Sequence, residues 1–319
     1  MKSRFWFFIM PIIAVSLEIL CSCGSGGDSS DDENALRMQT FVMDISDFAR
    51  GQKSGFIIIP QNGEELAFNY TDQSDGILWP YVNAIDGLGI EELFYNGILH
   101  VDGERLGMLQ FLKTSKPALT IMVSDYVDND TNISDAIIRS KDKGFIAFPR
   151  SKNNYDYKFI PADPPTDVNS FNISGLTDAK NYLYLISTEE FNNKGEMITA
   201  INNTKYDVVL MDLFFDEETF TLSEINSLKT KNGGGNRLVI CYISIGSAEK
   251  YRYYWQTGWK IGNPSWIKKK YAGYPDEFWV EYWNDDWQAI IFDYIQKIIG
   301  AGFDGVYLDN VEAYYYISH

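Results

Sequence analysis

The chain has 319 residues, 45% of them hydrophobic and 15% aromatic, so it can bury a large core in one domain. Its formal net charge of −17 argues against a nucleic-acid partner, because such binding depends on clustered Lys and Arg. With 2 histidines, 3 cysteines and neither a GxGxxG nor a P-loop motif, the sequence disfavours a zinc triad, a Ser–His–Asp site, a disulfide framework and nucleotide chemistry. We expect no cofactor and no bound metal.

The N-terminal residues 1–22 predict a secretion signal, since Lys2 and Arg4 precede an apolar run that is too short to span a bilayer comfortably. LCSC at residues 20–23 resembles a bacterial lipoprotein signal, in which Cys23 becomes the lipidated N-terminus. Residues 23–32 are rich in Gly, Ser and acidic side chains and predict a flexible tether. The acidic run also resembles an export signal, so we expect a surface-exposed protein anchored in the outer membrane.

From residue 33 onward, short apolar runs alternate with amphipathic helical patterns, as is typical of a parallel α/β architecture. Helices are predicted over 34–50 and 286–299, and TLSE at 221–224 is a capping box. Nine strands are predicted, one more than an eight-stranded barrel needs. They are 55–63, 84–95, 118–127, 144–150, 181–187, 206–214, 237–246, 278–283 and 303–310.

The segment 160–175 contains three prolines among polar residues and predicts an internal linker. Neither side of this linker carries enough strands to close a barrel. The sequence therefore predicts a single-domain (β/α)8 TIM barrel over residues 33–319.

Acidic residues follow several predicted strands, at the end where a (β/α) barrel carries its active face. Converging carboxylates suit glycoside hydrolysis, in which one acid protonates the leaving oxygen and another acts as nucleophile or base. The same carboxylates could bind a divalent cation, because Mg²⁺ and Ca²⁺ prefer oxygen ligands. The candidates are Asp309, Asp212, Asp125, Glu91, Glu92, Glu64, Glu65, Glu249 and Glu312.

A loop-rich region from residue 251 to residue 283 is crowded with aromatic side chains, Trp255 among them. Flat rings can stack on sugar faces, which favours a carbohydrate-binding surface, although roughly half of these rings would pack between barrel helices.

Seven sequence blocks together resemble the bacterial branch of glycoside hydrolase family 114, the endo-α-1,4-polygalactosaminidases. They are VVLMDLFF, ICYISIGSAEKYRYYW, VEYW, AGFDGVYLDNVEAY, IIPQNGEEL, IDGLGIEELFY and VSDYV. The resemblance covers nearly everything from residue 33 onward. It implies a secreted (β/α)8 barrel that cleaves α-1,4-linked galactosamine-containing polymers.

By motif, the resemblance implies Asp309 and Glu91 as the catalytic pair, with Glu92 as the alternative to Glu91. Because adjacent residues on a strand point to opposite faces, only one of these two glutamates should enter the barrel mouth. For the glutamates after PQNG, we expect one to line the cleft and the other to be solvated. The substrate-binding candidates are Asp212, Glu249, Arg252, Trp255, Glu312, Glu64 and Asp125. A structural ion pair between Glu249 and Arg252 is an equal alternative.

The order of the blocks along this chain differs from their order in the family. Here PQNGEE, IDGLGIEELFY and SDYV precede GVYLDN, whereas in the family they follow it. This order indicates a natural circular permutation in which residues 160–175 join the ancestral ends. It predicts that strand 303–310 lies beside strand 55–60, with helix 34–50 on the path between them.

Two further functions stay open beside a glycosidase: a non-catalytic glycan-binding lipoprotein on the same barrel, and an envelope protein that keeps the fold alone. The expected partners are an amino-sugar polysaccharide and the membrane that holds the lipid anchor. We expect a monomer.

Overall fold

The computed structural model describes residues 29–319, with side chains from residue 31 onward. The predicted secretion signal, the lipidated Cys23 and most of the predicted tether lie outside the described residues. Within this range no helix combines the length and the apolarity needed to cross a membrane.

The helices fall between strands, as the alternating pattern predicts. The first helix begins at Ser29 and so includes residues 29–32 of the predicted tether. Asp31 and Asp32 lie in its first turn, where carboxylates interact favourably with the helix dipole. The helices are α1 (Ser29–Gln52), α2 (Trp79–Ala84), α3 (Gly103–Ser115), α4 (Ile133–Asp142), α5 (Lys194–Asn202), α6 (Leu222–Leu228), α7 (Asp285–Ala301) and α8 (Ala313–Tyr316).

The strands of the described range form two parallel sheets and two small antiparallel ones. They are β1 (Ile57–Pro60), β2 (Gly87–Leu99), β3 (Thr120–Val127), β4 (Ile146–Ala147), β5 (Arg150–Ser151), β6 (Tyr182–Tyr184), β7 (Val208–Met211), β8 (Phe214–Phe215), β9 (Glu218–Thr219), β10 (Leu238–Ser244), β11 (Ser247–Glu249), β12 (Ile267–Lys270), β13 (Glu277–Val280) and β14 (Gly305–Asp309).

The parallel strands have the order β6–β7–β10–β14–β1 in one sheet and β2–β3–β4 in the other, where β5 also pairs with β3. A parallel bridge between Gln61 and Gly89 joins the two sheets. Between β4 and β6 the described residues form no ladder, and the Phe148 ring instead lies 5.7 Å from the Tyr182 ring. The prediction of an α/β fold with parallel strands is confirmed, while the hydrogen bonds do not close a barrel in this part of the chain.

Strand β14 lies between β1 and β10, with Gly305 opposite both Ile57 and Ile240. A Cβ at position 305 would come within 2.4 Å of the Ile57 carbonyl oxygen, so only glycine allows this approach. The predicted neighbourhood of strands 303–310 and 55–60 is therefore confirmed. Helix α1 leads directly into β1. The circular permutation itself stays a prediction.

The ninth predicted strand lies outside the parallel set. Strand β13, which corresponds to the predicted strand 278–283, pairs antiparallel with β11 and with β12. The antiparallel pairing brings the first residue of β13 to the edge where β10 and β14 end. This small sheet therefore adds side chains to the carboxyl edge of the parallel strands.

Residues 160–175 carry no helix or strand, in agreement with the predicted linker. Hydrogen bonds and an ion pair nevertheless hold this segment beside the starts of β6 and β7. Asn169 Nδ2 donates to both oxygens of Asp207, at 3.2 and 3.0 Å, and Lys231 Nζ lies 2.8 Å from Asp207 Oδ1. The side chains of Lys231 and Asp207 are 1% and 0% exposed. Asn181 Nδ2 also donates to the Thr166 carbonyl oxygen at 2.8 Å.

Candidate active site

Asp309 is the last residue of β14, and its side chain is half-buried. The Tyr242 hydroxyl donates to Asp309 Oδ2 at 2.5 Å, and the backbone N–H of Asn310 donates to Oδ1 at 2.8 Å. Burial raises the pKa of Asp309 to about 7, and the charges of Glu91 and Glu249 add to this rise. A carboxyl group of this kind can hold a proton near neutral pH, as a general acid must.

Glu91 lies in β2, near the carboxyl end of the parallel strands. The Tyr157 hydroxyl donates to its Oε1 at 2.5 Å, and its backbone N–H donates to Asn62 Oδ1 at 3.0 Å. The charges of both Glu91 and Asp309 contribute to the raised pKa of Tyr184, after the larger effect of burial. The structure thus brings the two predicted catalytic carboxylates to the same tyrosine-lined interior.

Glu92 does not point away from Glu91 as strand alternation predicts. Arg150 Nη2 lies 3.0 Å from Glu92 Oε1 and 3.5 Å from Glu91 Oε1. The register of β2 against β3 shifts between Glu91 and Asn96, and Glu92 has a φ of 56°. A bulge of this kind breaks the alternation of side chains, so the expectation that only one glutamate faces the site was wrong.

Asp125 supports this bulge. Its Oδ1 accepts the backbone N–H of Phe94 at 2.9 Å and that of Tyr95 at 3.3 Å. The residue is 1% exposed, and burial raises its pKa to about 6. The structure gives Asp125 these backbone contacts in place of the substrate contact that the sequence predicts.

Arg252 joins two of the predicted substrate-binding carboxylates. Its Nη1 donates to Asp212 at 2.9 and 2.7 Å, and its Nε donates to Glu249 Oε2 at 2.6 Å. All three side chains are nearly buried. Burial raises the pKa of Asp212, and the Arg252 charge opposes this rise. The ion-pair alternative for Glu249 and Arg252 is confirmed, and it extends to Asp212.

Glu277 is a site residue that the sequence analysis missed. It is the first residue of β13 and lies directly opposite Glu249 in the β11–β13 pair. Its Oε1 accepts from the Ser247 hydroxyl and, at 3.0 Å, from Asn310 Nδ2. Burial raises its pKa to about 8, with the Glu249 charge as the next cause. Glu277 does not end a strand in the sequence, because it is the start of an antiparallel strand that lies at this edge.

Arg105, also missed from sequence, organises the exits of β1 and β2. Its guanidinium contacts Glu64, donates to Asn62 Oδ1 at 3.0 Å and donates to the Glu91 carbonyl oxygen at 2.9 Å. Glu64 is buried in this pair, so it serves Arg105 instead of lining the cleft. Glu65 is half-buried and accepts from the Tyr314 hydroxyl. The predicted division into one cleft-lining and one solvated glutamate was wrong, because both are paired within the fold.

Glu312 lies just beyond β14, where Asn62 Nδ2 donates to its Oε2 at 3.1 Å. Burial raises the pKa of Glu312 to about 8, followed by the effect of the Glu65 charge. Asn62 therefore connects Glu312 with Arg105 and with the backbone of Glu91.

The aromatic side chains divide between packing and the site. Trp255 is half-buried and stacks on Phe278 at 5.3 Å between ring centroids, which is a packing role. Tyr274 is 46% exposed and lies edge-on to Tyr271 at 5.2 Å. Tyr271 stacks in turn on Trp279 at 4.3 Å. Burial raises the pKa of Tyr274, and the charges of Glu277 and Glu91 contribute, so this exposed ring belongs to the site.

No group of three or more His, Cys, Asp or Glu side chains within residues 29–319 is placed to hold a metal ion.

Half-buried carboxylates with raised pKa values, at the carboxyl edge of parallel strands in an α/β fold, are features of a glycoside hydrolase site. Residues 176–319 match the sequence profile of the glycoside hydrolase family GH114. The match confirms the family resemblance over this segment, which is somewhat less than half of the chain.

Three relatives are uncharacterized proteins. The one from Deinococcus radiodurans is 37% identical over 118 residues, which is 37% of this chain and 37% of its own length. Protein MJ1477 of Methanocaldococcus jannaschii is 34% identical over 149 residues, covering 46% of this chain and 42% of its own. The Thermotoga maritima relative is 36% identical over 77 residues, 24% of each chain. The chain thus spans less than half the length of the curated relatives it matches.

Among solved structures, that of Aspergillus fumigatus Ega3 in complex with galactosamine aligns with 22% identity and a TM-score of 0.31. The alignment covers 49% of this chain and 50% of that one.

Proposed function

We propose that this chain hydrolyses an α-1,4-linked, galactosamine-containing polysaccharide with Asp309 and Glu91 as its two carboxylates. One observation carries the proposal. Asp309 is half-buried at the carboxyl edge of the parallel strands, and burial, with the charge of the nearby Glu91, raises its pKa to about 7. The GH114 match over residues 176–319 supports the reaction class.

The two carboxylates have different surroundings, which suits two different roles. Asp309 receives hydrogen bonds from a phenol and a backbone amide, and it retains a proton near neutral pH for the leaving oxygen. Glu91 receives a hydrogen bond from Tyr157, and its Oε1 lies 3.5 Å from Arg150 Nη2, so a cation contacts this carboxylate. In the proposed reaction, Glu91 attacks the sugar or activates the water that does so.

The net charge of the chain supports a cationic substrate. The whole chain carries a net charge of −17, to which Glu277 and Glu312 near Asp309 contribute fully only above their pKa values of about 8. A deacetylated hexosamine polymer carries ammonium groups, which such a field attracts. The exposed Tyr274 ring offers an apolar face to a sugar.

The test is the release of reducing ends from deacetylated and acetylated galactosamine polymers. We expect D309N and E91Q to lower kcat by about 10²–10⁴-fold, because each loses a group that acts in the reaction. D276N is the matched control, since the exposed Asp276 side chain pairs with the exposed Lys250 at 3.4 Å. Hydrolysis by D309N at the wild-type rate would remove Asp309 from the mechanism. Binding without hydrolysis by the wild type would favour the glycan-binding alternative.

The lipid anchor belongs to the same proposal. Cys23 would carry the lipid and hold the enzyme on the outer membrane, where polymeric substrates are accessible. Incorporation of labelled palmitate into the wild type but not into C23S supports this part. Equal labelling of the two would contradict it.

We further propose that residues 33–150 supply strands that follow β14 in the usual order of the family. The parallel pairing of β1 with β14 supports this order. A rearranged gene that encodes 176–319 before 33–150 tests it. We expect a folded protein with the same activity, and a rearranged chain that cannot fold would count against the permutation.

A further inference from the structure

Asn310 has an unusual backbone conformation for a residue with a side chain. Its φ is 61°, in the left-handed region that Asn adopts more readily than most residues. Its carbonyl oxygen lies against Gly246, where a Cβ would come within 2.0 Å. In this conformation the backbone N–H of Asn310 reaches Asp309 Oδ1 at 2.8 Å.

The Asn310 side chain is 6% exposed and is held by three acceptors. Its Nδ2 donates to Ser244 Oγ at 2.9 Å, to Ser247 Oγ at 2.9 Å and to Glu277 Oε1 at 3.0 Å. The two serine hydroxyls lie 2.7 Å apart, and the Ser247 hydroxyl also donates to Glu277. The network therefore runs from β10, β11 and β13 to the residue that follows Asp309.

We propose that Asn310 and Glu277 are positioning residues for the Asp309 carboxylate. Glu277 fixes the Asn310 amide, the amide fixes the left-handed backbone, and the backbone N–H then holds Asp309 Oδ1. Tyr242 holds the other oxygen, so the carboxylate is restrained from both sides. Glu277 makes no hydrogen bond to Asp309 and acts through Asn310. The proposal rests on the proposed glycosidase function only for its kinetic readout.

Three variants and a control separate the effect of side-chain geometry from the effect of the Glu277 charge on Asp309. N310G keeps a backbone that tolerates positive φ and removes the side-chain bonds. E277A removes the acceptor, whereas E277Q keeps an acceptor oxygen and removes the charge. D276A, at the exposed position just before β13, is the control.

The readouts are the Asp309 titration, followed by carbon-13 NMR of its carboxyl group, and kcat and KM on the galactosamine polymer. We expect N310G and E277A to raise the Asp309 pKa, because the amide bond that favours its charged form is loosened. We expect kcat to fall about tenfold with little change in KM, since a misplaced catalytic group lowers the rate more than the binding. The N310G/E277A double variant should lower kcat no further than N310G alone does. E277Q should show the wild-type titration of Asp309.

An Asp309 titration in N310G and E277A that matches the wild type would overturn the proposal. A shift in E277Q as large as in E277A would also overturn it, because charge would then be the cause. If E277A fails to fold, S247A removes a neighbouring bond of the same network. Because the titration needs no substrate, a wild type without hydrolytic activity would refute the proposed function and leave this inference standing.

Discussion

The two carboxylates of the proposed mechanism are held in different ways. Around Asp309, the partners are neutral: a phenol, a backbone amide and an asparagine network. Around Glu91, two guanidinium groups are present, the buried Arg150 beside the carboxylate and the half-buried Arg105 at the carbonyl oxygen. The difference teaches that one fold can surround one carboxyl group with neutral donors and place a cation beside another.

Among the predicted changes, loss of Arg150 should have the largest effect, and it acts on the Glu91 side. R150M leaves the Glu91 and Glu92 carboxylates without their cation, so we expect a loss of about 3 kcal/mol in the free energy of unfolding and at least tenfold in kcat. Urea unfolding and initial rates measure the two effects. K158M, which removes a surface pair with Glu189 at 3.3 Å, should change stability by less than about 1 kcal/mol. Equal losses in both variants would mean that the Arg150 pair gives Glu91 no special support.

Loss of the Tyr242 hydroxyl should have a smaller effect, on the Asp309 side. The hydrogen bond from Tyr242 lowers the pKa of Asp309 against the larger effect of burial, which raises it to about 7. Y242F should therefore raise this pKa further, so Asp309 keeps its proton to higher pH. If Asp309 is the acid, the alkaline limb of the kcat profile moves to higher pH. A shift of the acidic limb to higher pH, with the alkaline limb unchanged, would instead assign Asp309 the role of base.

The smallest effect is expected for the exposed Tyr274 ring. Y274A should raise KM about three- to tenfold with kcat little changed, because an exposed ring contributes stacking and not chemistry. Y253A is the matched control, since Tyr253 is 42% exposed and its hydroxyl is bound to Asp293. An unchanged KM in Y274A would place the sugar elsewhere on the surface.

The sequence predicted the features that depend on local pattern. The strands, the helices 34–50 and 286–299 and the capping box at 221–224 follow from periodicity and terminal residues, and the structure confirms them. The strand-end acids include Asp309 and Glu91, because parallel strands carry their carboxyl ends to one edge.

Features that depend on tertiary pairing could not be predicted in this way. Glu277 reaches the site because β13 runs antiparallel, and Glu92 does so because β2 contains a bulge. Arg105 lies on α3, where nothing in its local pattern distinguishes it from a surface arginine. Trp255 stood out as an aromatic residue, but composition cannot tell a packed ring from an exposed one.

The segment 160–175 helps to hold the parallel strands together. Between β4 and β6 no ladder of backbone hydrogen bonds exists in the described residues, and we call this gap the seam. Side chains and the segment hold the two sides of the seam together. The anchor of the segment, Asp207, precedes β7, whereas Asp309 ends β14, so the two lie at opposite ends of the parallel strands. The other carboxylate is not apart from the seam, because the Tyr157 hydroxyl donates to Glu91 while the Tyr157 ring stacks on Tyr184 of β6 at 3.7 Å. A chain that opens at its seam would therefore disturb Glu91 before Asp309.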